Sequence, residues 1–321
     1  MRRAVTSFLA IGFLAACALY FVFFYDAPDK VDPNPLVIAG VAMAAVAAYC
    51  ASFAAEYIPL RATTMTRSNG ATIFAAAAIA NLSSYLGVIV GMPARFALWR
   101  RVLGVPISDS MALLIYLTLI GTAIPGWIAS VTLATEQPLL ALACGGAGTF
   151  LVGMLAWPWL APHGGLGAAV KAVAARLPQR LTRRIGRVAA TTFGFQPRLG
   201  LQIAFVYTLW YLASALQTTW TLDLFHESAP FLLLLGAQSA SFLLGRLSAL
   251  PLGLGVRDAS FVALMTSFGL PHEVAISVAA IDRAASLATR LVMAAVAMAL
   301  VSAGAASLKA VSAEPVALTE R

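Results

Sequence analysis

Two neighbouring charges interrupt one of the most apolar stretches of this chain. In PLGLGVRDASF (251–261) a proline and two glycines, Gly253 and Gly255, lead into Arg257 and Asp258. The run before it, FLLLLGAQSASFLLGRLSAL (231–250), is close to bilayer-spanning length and carries Arg246. An arginine near the middle of a bilayer costs about 2.5–3.5 kcal/mol on insertion scales, so it needs partners or a polar cavity. Asp282 and Arg283 are candidates: they lie nine and ten residues after Glu273, near mid-depth of the last apolar run. Arg290 follows two turns later on the face of Arg283. Two chemistries fit this set. The break can gather half-helix ends, backbone amides and Arg257 around an anion, phosphate above all. Alternatively, Arg257–Asp282 and Asp258–Arg283 neutralise one another as a structural clamp.

A second interrupted stretch, NLSSYLGVIVGMPARFALWRRVLGVPIS (81–108), offers Asn81, Arg95 and Arg100. Its segment 92–103 is amphipathic, with Phe96 and Trp99 beside the cations, which suits a substrate site or an interfacial anchor on anionic headgroups.

The elements that carry these residues follow from composition. The chain has 321 residues, 61% hydrophobic and only 11% charged, against about 25% charged in a soluble domain. The sequence therefore predicts an all-α, polytopic helical membrane protein forming one transmembrane domain over 1–321. Full spans are expected near 5–25, 36–56, 109–133, 138–160, 199–222 and 273–304. The interrupted regions 72–103 and 229–270 read as re-entrant helical hairpins.

With each hairpin entering and leaving on one side, the charges sort by face. Asp26, Asp29, Asp32, Glu136, Asp223, Glu227 and Glu273 fall outside with Lys30. Arg2, Arg3, Arg61, Arg67, Arg100, Arg101 and the basic loop 161–198 fall inside. This is the lysine/arginine bias of a cytoplasmic face, so both termini are expected in the cytoplasm. The hairpins also resemble each other: Gly104 and Pro106 of LGVPISDS match Gly269 and Pro271 of FGLPHEVA, as inverted repeats would.

Other functions find less support. His163, His226 and His272 are scattered without ligand spacing, and Cys17, Cys50 and Cys144 sit singly in apolar runs, so neither a metal nor a cofactor is expected. No nucleophile–base motif or phosphate-binding glycine loop is present, so an enzyme is not expected. The basic loop suits anionic lipid better than nucleic acid. A membrane glycosyltransferase acting on a polyprenyl-linked sugar, and an accessory subunit docking a synthase through 161–198, are the alternatives.

The quoted stretches resemble the lysylphosphatidylglycerol synthase transmembrane-region family. Asn81, Pro93, Arg95 and Arg100 match its first motif; Gly253, Gly255, Arg257, Asp258 and Arg283 match its second. The resemblance implies translocation of an anionic phospholipid or lipid-linked glycan in a bacterial inner membrane, with membrane lipids as partners; it does not imply lipid aminoacylation. It also implies a Gly-Glu ahead of the first hairpin's arginine, where this chain has Ala94 and no glutamate. The substrate-site expectation is Asn81, Arg95, Arg100, Arg246, Gly253, Gly255, Arg257, Asp258, Asp282, Arg283 and Arg290.

Overall fold

The computed structural model describes residues 34–64, 70–83, 87–160, 197–248 and 255–313. The expected first span (5–25) and almost all of the basic loop, 161–196, lie outside the described residues. The described residues form α1 (Pro35–Thr64), α2 (Gly70–Ser83), α3 (Gly87–Leu103), α4 (Ile107–Thr132), α5 (Pro138–Leu160), α6 (Pro197–Asp223), α7 (Phe231–Leu247), α8 (Val256–Ser267) and α9 (His272–Ala313). Five of them, α1, α4, α5, α6 and α9, are long and apolar enough to cross a membrane. The protein is a multi-pass helical membrane protein. Its last helix runs 42 residues to Ala313, past the expected end at 304; the stretch is alanine-rich and free of proline, and it carries Gly304 inside the helix.

In the second interrupted region the helices part across PLGLG (251–255), as its proline and glycines predict; in the first, Gly87, Gly91 and Pro93 lie inside α3, so α2 and α3 part ahead of the expected break. α2 has 14 residues and α7 has 17, so each is only about 21–25 Å long at 1.5 Å per residue, short of a bilayer's roughly 30 Å. Each packs on the helix that follows its break, α2 on α3 and α7 on α8. Both second helices end alike. Gly104 (φ 68°) and Gly269 (φ 91°) adopt the left-handed conformation that glycine tolerates best. The amide of Gly104 bonds back to Arg100 O, and those of Gly269 and Leu270 to Thr266 O and Met265 O, the latter pair forming a Schellman motif. Pro106 and Pro271 then lead into α4 and α9.

The likeness extends to how the helices touch. Exchange α1–α4 for α6–α9 in order and the contacts map onto themselves: α4–α7 becomes α9–α2, α1–α2 becomes α6–α7, α4–α6 becomes α9–α1, and α3–α4 becomes α8–α9. The α1–α6 interface maps onto itself, and α5, held by α4, stands outside the exchange. Two cores result. One gathers Leu60, Ile73, Trp99, Leu113 and Tyr211; the other gathers Leu133, Leu234, Met265 and Val278. Trp99, which suited a substrate site or an interfacial anchor, is fully buried in the first core, while its neighbours Arg100 and Arg101 stay exposed.

Candidate functional site: two polar clusters at the hairpins

At the second hairpin, Gly255 (φ 80°) caps the N-terminus of α8 and sends Arg257 and Asp258 in different directions. Adjacent residues on a helix point about 100° apart, so they meet different neighbours. Asp258 faces α9, where Arg283 donates to it through a two-pronged fork, Nε to Oδ1 at 2.8 Å and Nη2 to Oδ2 at 3.0 Å. Arg257 faces α7: its guanidinium carbon lies 4.2 Å from the centroid of the Phe242 ring. Gly245 allows this approach, since a Cβ there would stand 2.8 Å from the Arg257 Cβ.

The same divergence separates Asp282 from Arg283. Asp282 turns toward α6 and α7 and is met by four neutral donors: Thr218 Oγ1 (2.6 Å), Thr221 Oγ1 (2.8 Å), Gln217 Nε2 (3.2 Å) and Gln238 Nε2 (3.3 Å). Gln238 also donates to Thr218 Oγ1 at 2.8 Å, and Gln217 to the Asp282 carbonyl at 3.1 Å. One carboxylate thus ties three helices together. Of the two pairs in the clamp alternative, Asp258–Arg283 forms, whereas Asp282 takes hydrogen bonds from Thr218, Thr221, Gln217 and Gln238.

Between these groups lies a small open cavity of about 30 Å³, lined by Ser214, Gln217, Gln238, Arg257, Asp258, Phe261, Ala279, Asp282, Arg283 and Ser286. Ten residues into α9, Asp282 sits about 15 Å along the helix, half the thickness of a hydrocarbon core. Arg246 stands beside this group, donating to Thr122 Oγ1 at 3.2 Å, its guanidinium carbon 5.2 Å from the Phe242 centroid.

The first hairpin carries a separate cluster. Arg95 on α3 donates through Nη2 to Glu56 Oε1 on α1 at 2.6 Å, and through Nε to Ala80 O at 2.9 Å. Asn81 on α2 donates to Ser52 Oγ at 2.9 Å and accepts from Arg290 of α9 at 2.6 Å. Arg290 therefore belongs with the first hairpin and not with Arg283: it lies on nearly the same face of α9 but about 10 Å further along the helix, where α2 packs. The second oxygen of Glu56 and the Tyr49 hydroxyl are buried without a hydrogen-bond partner.

Of the expected site residues, Arg257, Asp258, Asp282 and Arg283 meet at one cavity with Gly255 at the head of their helix. Asn81, Arg95 and Arg290 meet at the other cluster. Arg100 is exposed at the end of α3 and joins neither cluster, and Gly253 lies outside the described residues. The sequence reading missed Glu56, Ser52, Gln217, Thr218, Thr221 and Gln238. Its available signals were a lone glutamate in an apolar run and the polar patch QTTWT (217–221) inside a span.

These features define a multi-pass membrane protein with a charged cavity inside its helical bundle and two helix-break-helix hairpins related by an exchange of contacts. A family model described as the Lysylphosphatidylglycerol synthase TM region matches residues 71–294, from α2 into α9, and the chain belongs to that family. No curated protein matches it significantly.

Proposed function

We propose that the protein translocates a phosphate-bearing lipid, an anionic phospholipid or lipid-linked headgroup, across a bacterial inner membrane and performs no covalent chemistry on it. The observation that carries this reading is the cavity itself: charged side chains and the N-terminal end of α8 border a space at mid-span. Asp258 is occupied by the Arg283 fork, and Asp282 is saturated by neutral donors. Arg257 lies over Phe242, its guanidinium carbon 4.2 Å from the ring centroid, and a planar guanidinium can grip phosphate in two places. Non-helical backbone at membrane depth needs protein or water around it, which a re-entrant hairpin beside a polar cavity would supply. Family membership supports a lipid as partner.

The Asp258–Arg283 fork also favours a second reading, in which the charges only hold α8 to α9. Transport separates the two. Arg257→Lys keeps a cation but loses the planar fork, so the variant should fold and yet move headgroup-labelled phosphatidylglycerol across proteoliposomes at least tenfold more slowly, for a loss of about 1.4 kcal/mol or more. Unchanged transport by Arg257→Lys, with wild-type stability, supports the clamp and removes the anion site.

A further inference from the structure

Three carboxylates lie within the described membrane-spanning bundle at the hairpins: Glu56, Asp258 and Asp282. Both oxygens of Asp258 accept from Arg283, and both oxygens of Asp282 accept from neutral donors. Glu56 differs. Only Oε1 is held, by Arg95, while Oε2 is buried with no partner and the side chain is 8% exposed. Seven residues earlier on α1, the Tyr49 hydroxyl is buried without a partner as well.

We infer that Glu56 is a proton-binding site coupled to anion binding at Arg95, a second anion position besides the Arg257 cavity; the inference rests on the lipid-translocation reading above. Arg95 holds the first hairpin through two bonds, Nε to Ala80 O and Nη2 to Glu56 Oε1. A phosphate gripped in two places by this guanidinium displaces the Glu56 carboxylate. Glu56 is then a buried anion without a partner, a state far costlier than protonation: an ordinary glutamate takes up a proton at pH 7 for a factor of only about 500 in equilibrium. The exchange balances. The Glu56 carboxylate, the Arg95 cation, the phosphodiester anion and one proton become a neutral Glu56 acid and an Arg95–phosphate pair, with no change in total charge.

The surroundings suit this role. The cations acting on Glu56 are Arg95 from α3 and Arg290 from α9; the latter is held by Asn81 Oδ1 at 2.6 Å. α6 faces it with Tyr207, α1 with Tyr49, and α2 contributes the neutral Asn81. The α4 groups Asp109 and Tyr116 are not among the charges acting on it.

The test is calorimetry of the purified full chain titrated with dihexanoyl phosphatidylglycerol at pH 7.5, in two buffers of different ionisation heat. The wild type should take up close to one proton per lipid bound, with affinity falling by up to about tenfold per pH unit as pH rises. Glu56→Gln should bind the lipid at least as tightly, with no proton uptake and no such pH slope. Lipid binding by the wild type without proton uptake overturns the coupling and leaves the transport reading standing; that result needs no variant to fold. Uptake persisting in Glu56→Gln moves the proton elsewhere and also overturns the inference. No lipid binding by the wild type refutes the transport reading and the inference with it. A parallel titration with glycerol phosphate identifies the anion: equal affinity with equal uptake keeps the coupling but assigns the site to a free headgroup.

Discussion

Removing the fork between Asp258 and Arg283 tests the architecture of the second hairpin most directly. Two opposite charges about 4 Å apart attract by about 4 kcal/mol at an effective dielectric of 20. The side chains here are 15% (Arg283) and 33% (Asp258) exposed, so solvent at the cavity screens the pair. Measured interhelical polar couplings in membrane proteins reach only about 1.7 kcal/mol. A coupling of about 1–2 kcal/mol is therefore expected between Asp258→Asn and Arg283→Gln. The assay is unfolding in detergent of the wild type, both single variants and the double variant. Asp258 also sits in the first turn of α8, where a negative charge gains about 0.3–1 kcal/mol from the helix dipole, so Asp258→Asn should cost more than the fork alone. Exchanging the two residues should recover the coupling but not that contribution. The Glu56–Arg95 pair is deeper, at 8% and 12% exposure. Arg95→Ala, which strands a buried carboxylate, should cost about 3–5 kcal/mol, more than Arg283→Gln. Additivity within about 0.3 kcal/mol across the Asp258/Arg283 cycle would refute the reasoning, as would the reverse order of the two arginines.

Two further outcomes are expected. A Cβ at Gly126 would meet the Cys144 carbonyl of α5 at 2.7 Å, so Gly126→Ala should lower stability by about 1–3 kcal/mol. Gly153→Ala, with nothing within 4 Å of its Cβ, should stay within about 0.5 kcal/mol of wild type in the same unfolding assay. In a background without native cysteines, single cysteines at Glu136 and Glu227 should react with an impermeant thiol reagent from outside the cell, and one at Arg101 only after permeabilisation. Outside labelling at Arg101 would mean that the first hairpin crosses the membrane.

Most of the scaffold was legible because its signals are local. A bilayer demands about twenty apolar residues in a row, so α4, α5 and α6 begin and end within two residues of their expected bounds; glycine and proline mark the turns less reliably, since Pro93 lies inside α3 and Pro125 inside α4. The match of Gly104 with Gly269 was legible for the same reason. The partners of the charges were less so, because they depend on which helices touch. Asp282 takes its donors from residues 44 to 65 positions earlier, and nothing in the sequence states that α9 lies against α6 and α7. Treating Arg257 and Asp258 as one unit hid the 100° turn between them: Asp258 meets its expected partner, whereas Asp282 takes neutral donors. The glutamate sought within the first hairpin comes instead from α1, packed beside it.

The exchange of contacts between the two halves has an energetic consequence. If each half took up the conformation of the other, the molecule would be rebuilt with the same kinds of interface, turned end over end. The α1–α6 seam would persist through that inversion, so substitutions along it should alter total stability and leave the balance between the two forms untouched. The α4–α7 and α2–α9 contacts would trade places. A substitution at only one of them, such as at Thr122 beneath Arg246 or Asn81 beneath Arg290, acts as a weight on one pan of a scale.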